Sequence, residues 1–169
     1  LVVAIDIAMT ETPREADYVL PASTQFEKWE ATFFNFEFPD NYFHLRKPLF
    51  EPLGESLSEA EIHARLVEAA GAMPTALVYE LRGLLKEDAR AAFRERFMQA
   101  LAEDRMVAKL APVILYRTLG EVLPEGAKEG AVMWPLTMGF AMRDSESLAR
   151  AGYEGDPITQ AETLFDAII

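Results

Sequence analysis

The hydrophobic and polar positions of this chain follow two different periods, one before Gly54 and one after it. Up to Gly54, short runs rich in β-branched and aromatic side chains are separated by Pro and Asn, a pattern typical of strands. After Gly54, the apolar positions recur every three to four residues, which predicts helices. The pattern therefore predicts an α+β protein that is predominantly α. The predicted strands cover residues 1–7, 18–20, 32–38 and 42–45.

Start and stop signals divide the second part into a lobe of about five helices. Ser58 and Glu61 form a capping box, in which the hydroxyl accepts from a first-turn amide and the carboxylate reaches back. Gly71 ends this helix, and Pro74 begins the next one. Further helices are expected to be headed by Asp88, to cover residues 106–119 and to begin at Pro157, with an apolar but interrupted region from residue 128.

The charge and composition of the chain exclude several classes of function. There are 28 acidic against 16 basic side chains, which gives a formal net charge of −12. A surface of this sign is repelled by polyphosphate, so free nucleic acid is not an expected partner. The sequence contains no cysteine, which excludes disulfides and thiolate metal sites. His44 and His63 are too far apart in sequence to suggest an imidazole metal site, so no metal-binding residue is predicted.

The two ends of the sequence are apolar, and no segment predicts a membrane span. The apolar run over residues 131–142 falls short of the ~20 residues that cross a bilayer. No targeting signal is seen, and the compartment stays open.

The chain opens inside a predicted strand, LVVAID, and stops inside an apolar helix, AETLFDAII. Because termini normally lie in polar surface sequence, we expect an excised piece of a longer protein, with exposed apolar faces that favour self-association.

Asp6 is the first candidate for chemistry, because it ends the first predicted strand. In open α/β sheets the carboxyl ends of strands face the ligand crevice. The two oxygens of a carboxylate match two adjacent N–H donors, as on the edge of guanine or on a pterin ring. A strand-terminal Asp that only caps the following turn is the alternative interpretation. The next residues, with Thr10 and Thr12 before Pro13, predict a capped single turn of helix.

The segment FEKWE, residues 26–30, places Lys28 beside two acids, directly behind an apolar strand that Pro21 stops. Two interpretations of this lysine remain open. It is either a phosphate clamp held upright by its neighbours or an ordinary surface ion pair that contributes less than ~1 kcal/mol.

The N-terminal third carries a resemblance to a known family. The run VVAIDIAMTETPREADYVLPASTQFEKWEATFFNFE, followed by RKPLFEPLGE and an acidic helix start, resembles the large-subunit signature of the molybdopterin-dependent oxidoreductases, the dimethyl sulfoxide reductase and formate dehydrogenase family. The matching residues are Asp6, Thr10-Glu11-Thr12, Ala16-Asp17, Val19-Leu20-Pro21, Glu27-Lys28, Thr32 and Asn35.

The resemblance implies a role in holding bis(molybdopterin guanine dinucleotide) with molybdenum or tungsten. Asp6 matches the strand-end acid that contacts the dinucleotide, Lys28 matches a cofactor-contacting lysine of some members, and Glu59 lies near an Asp that precedes the helix in relatives. Residues 1–54 would then be part of the α/β cofactor-binding domain, and residues 55–169 a helical segment that precedes a barrel domain. The sequence departs from the family at Ala31 and at Phe38-Pro39, where members commonly have Gly and Gly-Arg.

Two functions from different classes follow. The first is a fragment of a molybdopterin-dependent oxidoreductase, cytoplasmic or periplasmic as a whole protein, that contributes part of the dinucleotide site and a helical scaffold. The metal ligand and any iron–sulfur cysteines would then lie outside this chain, so we expect no catalysis, and no catalytic residue, in the isolated segment. The alternative is a free-standing helical protein–protein interaction module. In it, the strand-like part is a docking edge and a partner groove is formed by Met133, Met138 and Met142.

Overall fold

A computed structural model describes residues 1–32 and 44–169. The predicted strand over residues 32–38 and the departure at Phe38-Pro39 therefore lie largely outside the described residues. The chain divides into two compact units, Leu1–Ala76 and Leu77–Ile169. The division expected at residue 54, between a cofactor-binding part and a helical segment, stays a prediction.

The first unit begins with two parallel strands joined through a single turn of helix. Strand β1 covers Val3–Asp6, helix α1 covers Glu11–Arg14 and strand β2 covers Tyr18–Pro21. The register pairs Val3 with Tyr18 and Asp6 with Pro21. Parallel strands need a crossover connection, and the Pro-containing turn supplies it. Both strands therefore end at the same edge of the sheet.

A second small sheet and a longer helix follow in this unit. Strands β3, Glu30–Thr32, and β4, His44–Arg46, pair antiparallel, and helix α2 covers Glu59–Ala69. The hydroxyl of Ser58 accepts from the backbone N–H of Glu61 at 3.3 Å, which is the first half of the predicted capping box. A single parallel bridge between Ala22 and Leu57 ties the residues after β2 to the residues before α2.

The second unit is helical. An aromatic cluster fills its core, in which the ring of Trp134 lies 5.5 Å from Phe93 and 6.1 Å from Phe97. Ile114 and Leu115 are fully buried with it. The helices are α3 Thr75–Lys86, which begins just before the unit boundary, α4 Arg90–Glu103, α5 Arg105–Arg117, α6 Met133–Arg143, α7 Ser145–Arg150 and α8 Pro157–Ile168, with 3₁₀ turns at Leu119–Val122, Pro124–Gly126 and Lys128–Val132.

Two polar side chains of α8, Gln160 and Glu162, contact neighbouring helices. The buried amide of Gln160 accepts from the Ser145 hydroxyl at 2.7 Å and donates to the backbone oxygen of Tyr153 at 3.0 Å. Glu162 accepts from the indole N–H of Trp134 at 3.3 Å and lies 3.4 Å from Arg90 and 3.5 Å from Arg94. These contacts join α8 to α4, α6 and α7. Separating the helices would leave buried polar groups without partners, which is costly.

The predicted fold class is confirmed: the chain is mostly helical, with short N-terminal strands in two small sheets. Helix α8 begins at Pro157 as expected, and the carboxylate of Asp156 caps it by accepting from the Thr159 N–H at 2.8 Å. The interrupted region separates into 3₁₀ turns, α6 and α7, so the lobe has more helices than the five expected. The prediction that Asp88 heads a helix is wrong. Asp88 adopts a left-handed conformation, φ 55°, in the turn before α4.

Among residues 1–32 and 44–169, no helix has the length and apolar character that would let it cross a membrane.

Candidate functional site

The carboxyl edge of the β1–β2 sheet is the candidate site. Asp6 ends β1 opposite Pro21, and the N–H of Ala22 donates to the backbone oxygen of Asp6 at 3.0 Å. The sequence analysis expected Asp6 at a strand end, and the structure places it there. Ligands of open α/β sheets lie outside this kind of edge.

The side chain of Asp6 caps the turn that follows its own strand. Its Oδ1 accepts from the backbone N–H of Ile7 at 2.7 Å and of Ala8 at 3.3 Å. Among the described residues, its Oδ2 accepts one long hydrogen bond, from the Thr10 hydroxyl at 3.4 Å. The capping interpretation therefore describes Oδ1, and Oδ2 keeps the capacity to accept from another donor.

Lys28 and Glu59 lie together, although 31 positions separate them in the chain. The Nζ of Lys28 donates to both carboxylate oxygens of Glu59, at 2.6 Å to Oε1 and at closer range to Oε2, and lies 3.8 Å from Glu30. The side chain of Lys28 is only 14% exposed, whereas that of Glu59 is 44% exposed. No direct contact among the described residues joins Asp6 to this cluster. One lysine beside two carboxylates leaves the cluster with a net negative charge.

Glu27 has a structural role that the sequence analysis did not reveal, where it was considered only as a family match and an acidic neighbour of Lys28. Its carboxylate accepts from the N–H of Thr24 at 2.8 Å and of Leu53 at 3.1 Å. These contacts, with the Thr24 amide as the largest, hold the pKa of Glu27 below its ordinary 4.5. The spacing of Thr24 and Glu27 matches the capping-box pattern, and this spacing is the sequence signal that could have predicted the contact.

Ser23 is the second residue that the sequence analysis missed. It follows β2 at the same edge, is completely buried, and donates its backbone N–H to Leu57 at 2.8 Å. Within the part of the chain that the structure describes, its hydroxyl has no hydrogen-bond partner. A buried hydroxyl without a hydrogen bond is costly, so Ser23 is an energetically unfavourable feature of this edge.

These residues fit a guanine dinucleotide only in part. Asp6 offers one oxygen that is engaged by a long hydrogen bond, rather than the pair that would bind two adjacent N–H groups. Lys28 is already compensated by Glu59 and Glu30, so it offers no net positive charge to a pyrophosphate. The residue set thus supports one hydrogen bond to a base or pterin ring and does not fit a phosphate clamp.

The histidines and carboxylates form no group that could hold a metal ion among the described residues. His44, in β4, is exposed, and the Nδ1 of His63 lies 2.6 Å from the backbone oxygen of Glu59.

Two curated bacterial proteins are similar to part of this chain. One is the probable oxidoreductase YoaE of Bacillus subtilis (strain 168), 41% identical over 66 residues, which are 39% of this chain and 9% of that protein. The other is the probable oxidoreductase YyaE of the same organism, 38% identical over 71 residues, which are 42% of this chain and 10% of that protein. The matched part of this chain thus spans about a tenth of the length of these relatives.

No protein-family model matches the chain, and no solved structure matches it either.

Proposed function

We propose that this chain is a segment of a molybdopterin-dependent oxidoreductase, in which the N-terminal strands form part of the wall of a guanine dinucleotide site. The partial similarity to two probable oxidoreductases supports the oxidoreductase part of this proposal. The resemblance of residues 2–37 to the family signature supports the cofactor class.

The observation that carries the proposal is the position of Asp6 at the carboxyl edge of a parallel strand pair. Its Oδ1 holds the turn after β1, and this fixes the carboxylate in one orientation. Its Oδ2 is then the atom that accepts an N–H of the base or pterin ring. A fixed acceptor binds more favourably than a mobile one, because less conformational freedom is lost on binding.

Lys28 and Glu59 have a less direct role in this proposal. Contact between Lys28 and a pyrophosphate requires its Nζ to leave Glu59, since both carboxylate oxygens accept from it. The cofactor is anionic and the chain carries −12, so most of the phosphate charge is neutralised by residues beyond this segment. The bound cofactor supplies the redox chemistry through its molybdenum or tungsten, and this chain supplies hydrogen bonding and scaffold.

The test is an Asp6→Asn change in the full-length protein that contains this chain. Asn keeps an oxygen that can accept from the Ile7 N–H but replaces the second acceptor by a donor. Pterin fluorescence and molybdenum or tungsten content of the purified protein should fall.

Asp17→Asn is the matched control, because Asp17 accepts from the Val2 N–H at 2.7 Å at the opposite end of the same sheet. Loading should be unchanged in this variant. Equal loading of both variants and the unaltered protein would remove Asp6 from the site.

The rival function is a free-standing helical interaction module. The extent of the surrounding reading frame distinguishes it from the proposed function. A frame that continues on both sides, with a cysteine cluster upstream and a β-rich domain downstream, supports the oxidoreductase.

A further inference from the structure

An apolar cavity of about 480 Å³ lies within the second unit. Residues of α4 and α6 form most of its lining, and Ile158 of α8 also lines it. Its volume falls within the range of ~300–1,000 Å³ that small-molecule pockets occupy.

The lining of this cavity is adaptable and almost wholly apolar. Met98 on α4 and Met142 on α6 are 56% and 61% exposed, so their side chains present apolar surface to solvent. Unbranched methionine side chains fill irregular space and suit surfaces that accept flexible ligands. At Gly139, no described atom lies within 4 Å of the place where a Cβ would stand, so the missing side chain widens the groove.

The charges at the rim favour a cation over an anion. Arg94 and Glu95 are the charged residues of the lining. Arg94 lies 3.5 Å from the carboxylate of Glu162, so its charge is compensated. Glu95 has no ion-pair partner among the described residues, and the whole chain carries −12. An anionic amphiphile entering this cavity would meet an uncompensated carboxylate and a repulsive field.

We propose that this cavity binds a small apolar molecule that carries one cationic group, with the apolar part between Met98 and Met142 and the cation beside Glu95. The proposal stands on the second unit alone and does not depend on the function proposed for the strand edge.

The test uses three probes with the same alkyl chain and different heads: decyltrimethylammonium, decanol and decanoate, all below their micelle concentrations. A Trp29→Phe background leaves Trp134, which lines the cavity, as the single tryptophan of the chain. Its fluorescence should report binding that is tightest for the cation, intermediate for the alcohol and weakest for the anion. The Glu95→Gln change should lower the affinity for the cation by about three-fold, as expected for an exposed charge pair.

Gly139→Leu tests the cavity itself, because the new side chain would occupy it. Affinity for all three probes should fall at least about ten-fold, the equivalent of roughly two buried methylene groups. Gly83→Leu is the matched control, since Gly83 also lies within a helix with no described atom within 4 Å of its Cβ position.

A second pair keeps the test decisive if Gly139→Leu fails to fold. Met98→Gln should weaken binding, whereas Met106→Gln should not, because Met106 is equally exposed but lies outside the lining. Equal or tighter binding of decanoate, or equal effects within either matched pair, would overturn the proposal. So would a dimer in sedimentation that Gly139→Leu abolishes, which would assign the cavity to a second copy of the chain.

Discussion

The two compact units are stabilised in different ways. In the second unit, Trp134, Phe93 and Phe97 are almost completely buried, and apolar contact forms a continuous aromatic core. In the first unit the strands leave large apolar side chains exposed, and the buried positions include small residues such as Ala22, Ser23 and Ala64.

Specific polar contacts join distant segments of the first unit. Lys28 is bonded to Glu59, Glu27 joins the chain near Thr24 to the chain near Leu53, and Ser58 caps α2. Apolar burial is non-directional, whereas a hydrogen bond needs a defined geometry. An ion pair also depends on pH, because its groups titrate. We therefore expect a core substitution to have the largest effect in the second unit, whereas in the first unit substitutions of the charged residues should have the largest effect.

The largest effect is expected from Trp134→Ala. This change removes the ring that packs against both Phe93 and Phe97 and leaves Glu162 without its indole donor. The free energy of unfolding should fall by about 3–5 kcal/mol, as for other large aromatic truncations in a core. Urea unfolding followed by far-UV circular dichroism measures it.

Tyr79→Ala is the control for this prediction, because Tyr79 is 83% exposed. Its change should stay within about 0.5 kcal/mol, the usual range for surface substitutions. Similar losses from the two variants would contradict the view that the aromatic cluster holds the second unit.

An intermediate effect is expected from breaking the Lys28–Glu59 pair. Lys28→Met removes the cation and leaves Glu59 and Glu30 facing a largely buried apolar side chain. The loss should be about 1–2 kcal/mol, between the limits for exposed and buried pairs, since Glu59 is partly exposed. Hydrogen exchange of the first-turn amides of α2 locates the loss in the first unit.

A double-mutant cycle sharpens this prediction. Lys28→Met, Glu59→Gln and the double variant should give a coupling energy near ~1 kcal/mol. The pair Arg65–Glu61 within α2, at 2.7 Å and mostly exposed on the arginine side, offers a matched comparison. Its coupling should be only about 0.3–0.5 kcal/mol. Equal coupling energies would show that burial of Lys28 adds nothing.

Local features of this fold were predictable from the sequence. The cap at Ser58 is a local feature, because the residues that form it lie within four positions of one another. The same is true of the start of α8 at Pro157. Asp88 shows the limit of such reasoning. Aspartate favours a helix N-cap and also tolerates the left-handed conformation, and the turn before α4 uses the second property.

The arrangement of the candidate site could be predicted only in part. The periodicity placed Asp6 at a strand end, but it could not decide how each carboxylate oxygen is used. The family resemblance suggested Lys28 and Glu59 separately, each as a cofactor contact. Lys28 and Glu59 pair with one another because the fold brings together two positions that are 31 residues apart, and no local sequence pattern predicts such a contact.

The smallest effect, and the one that separates the two units by pH, is expected at Glu27. Its folded-state pKa lies below the ordinary 4.5 because the carboxylate accepts from the Thr24 and Leu53 amides. The unfolded chain therefore binds this proton more readily, so the contribution of Glu27 is fully present above pH 4.5 and is lost as pH falls through its folded-state pKa. The amides of Thr24 and Leu53 should lose exchange protection in that window. Glu27→Gln should remove that pH dependence, whereas the amides of Phe93 and Phe97, whose side chains lie in the aromatic core, should keep their protection there, because apolar burial does not depend on pH. Loss of protection at the same pH in both places would mean that acid acts on the whole chain at once, and the local role of the Glu27 contacts would fail.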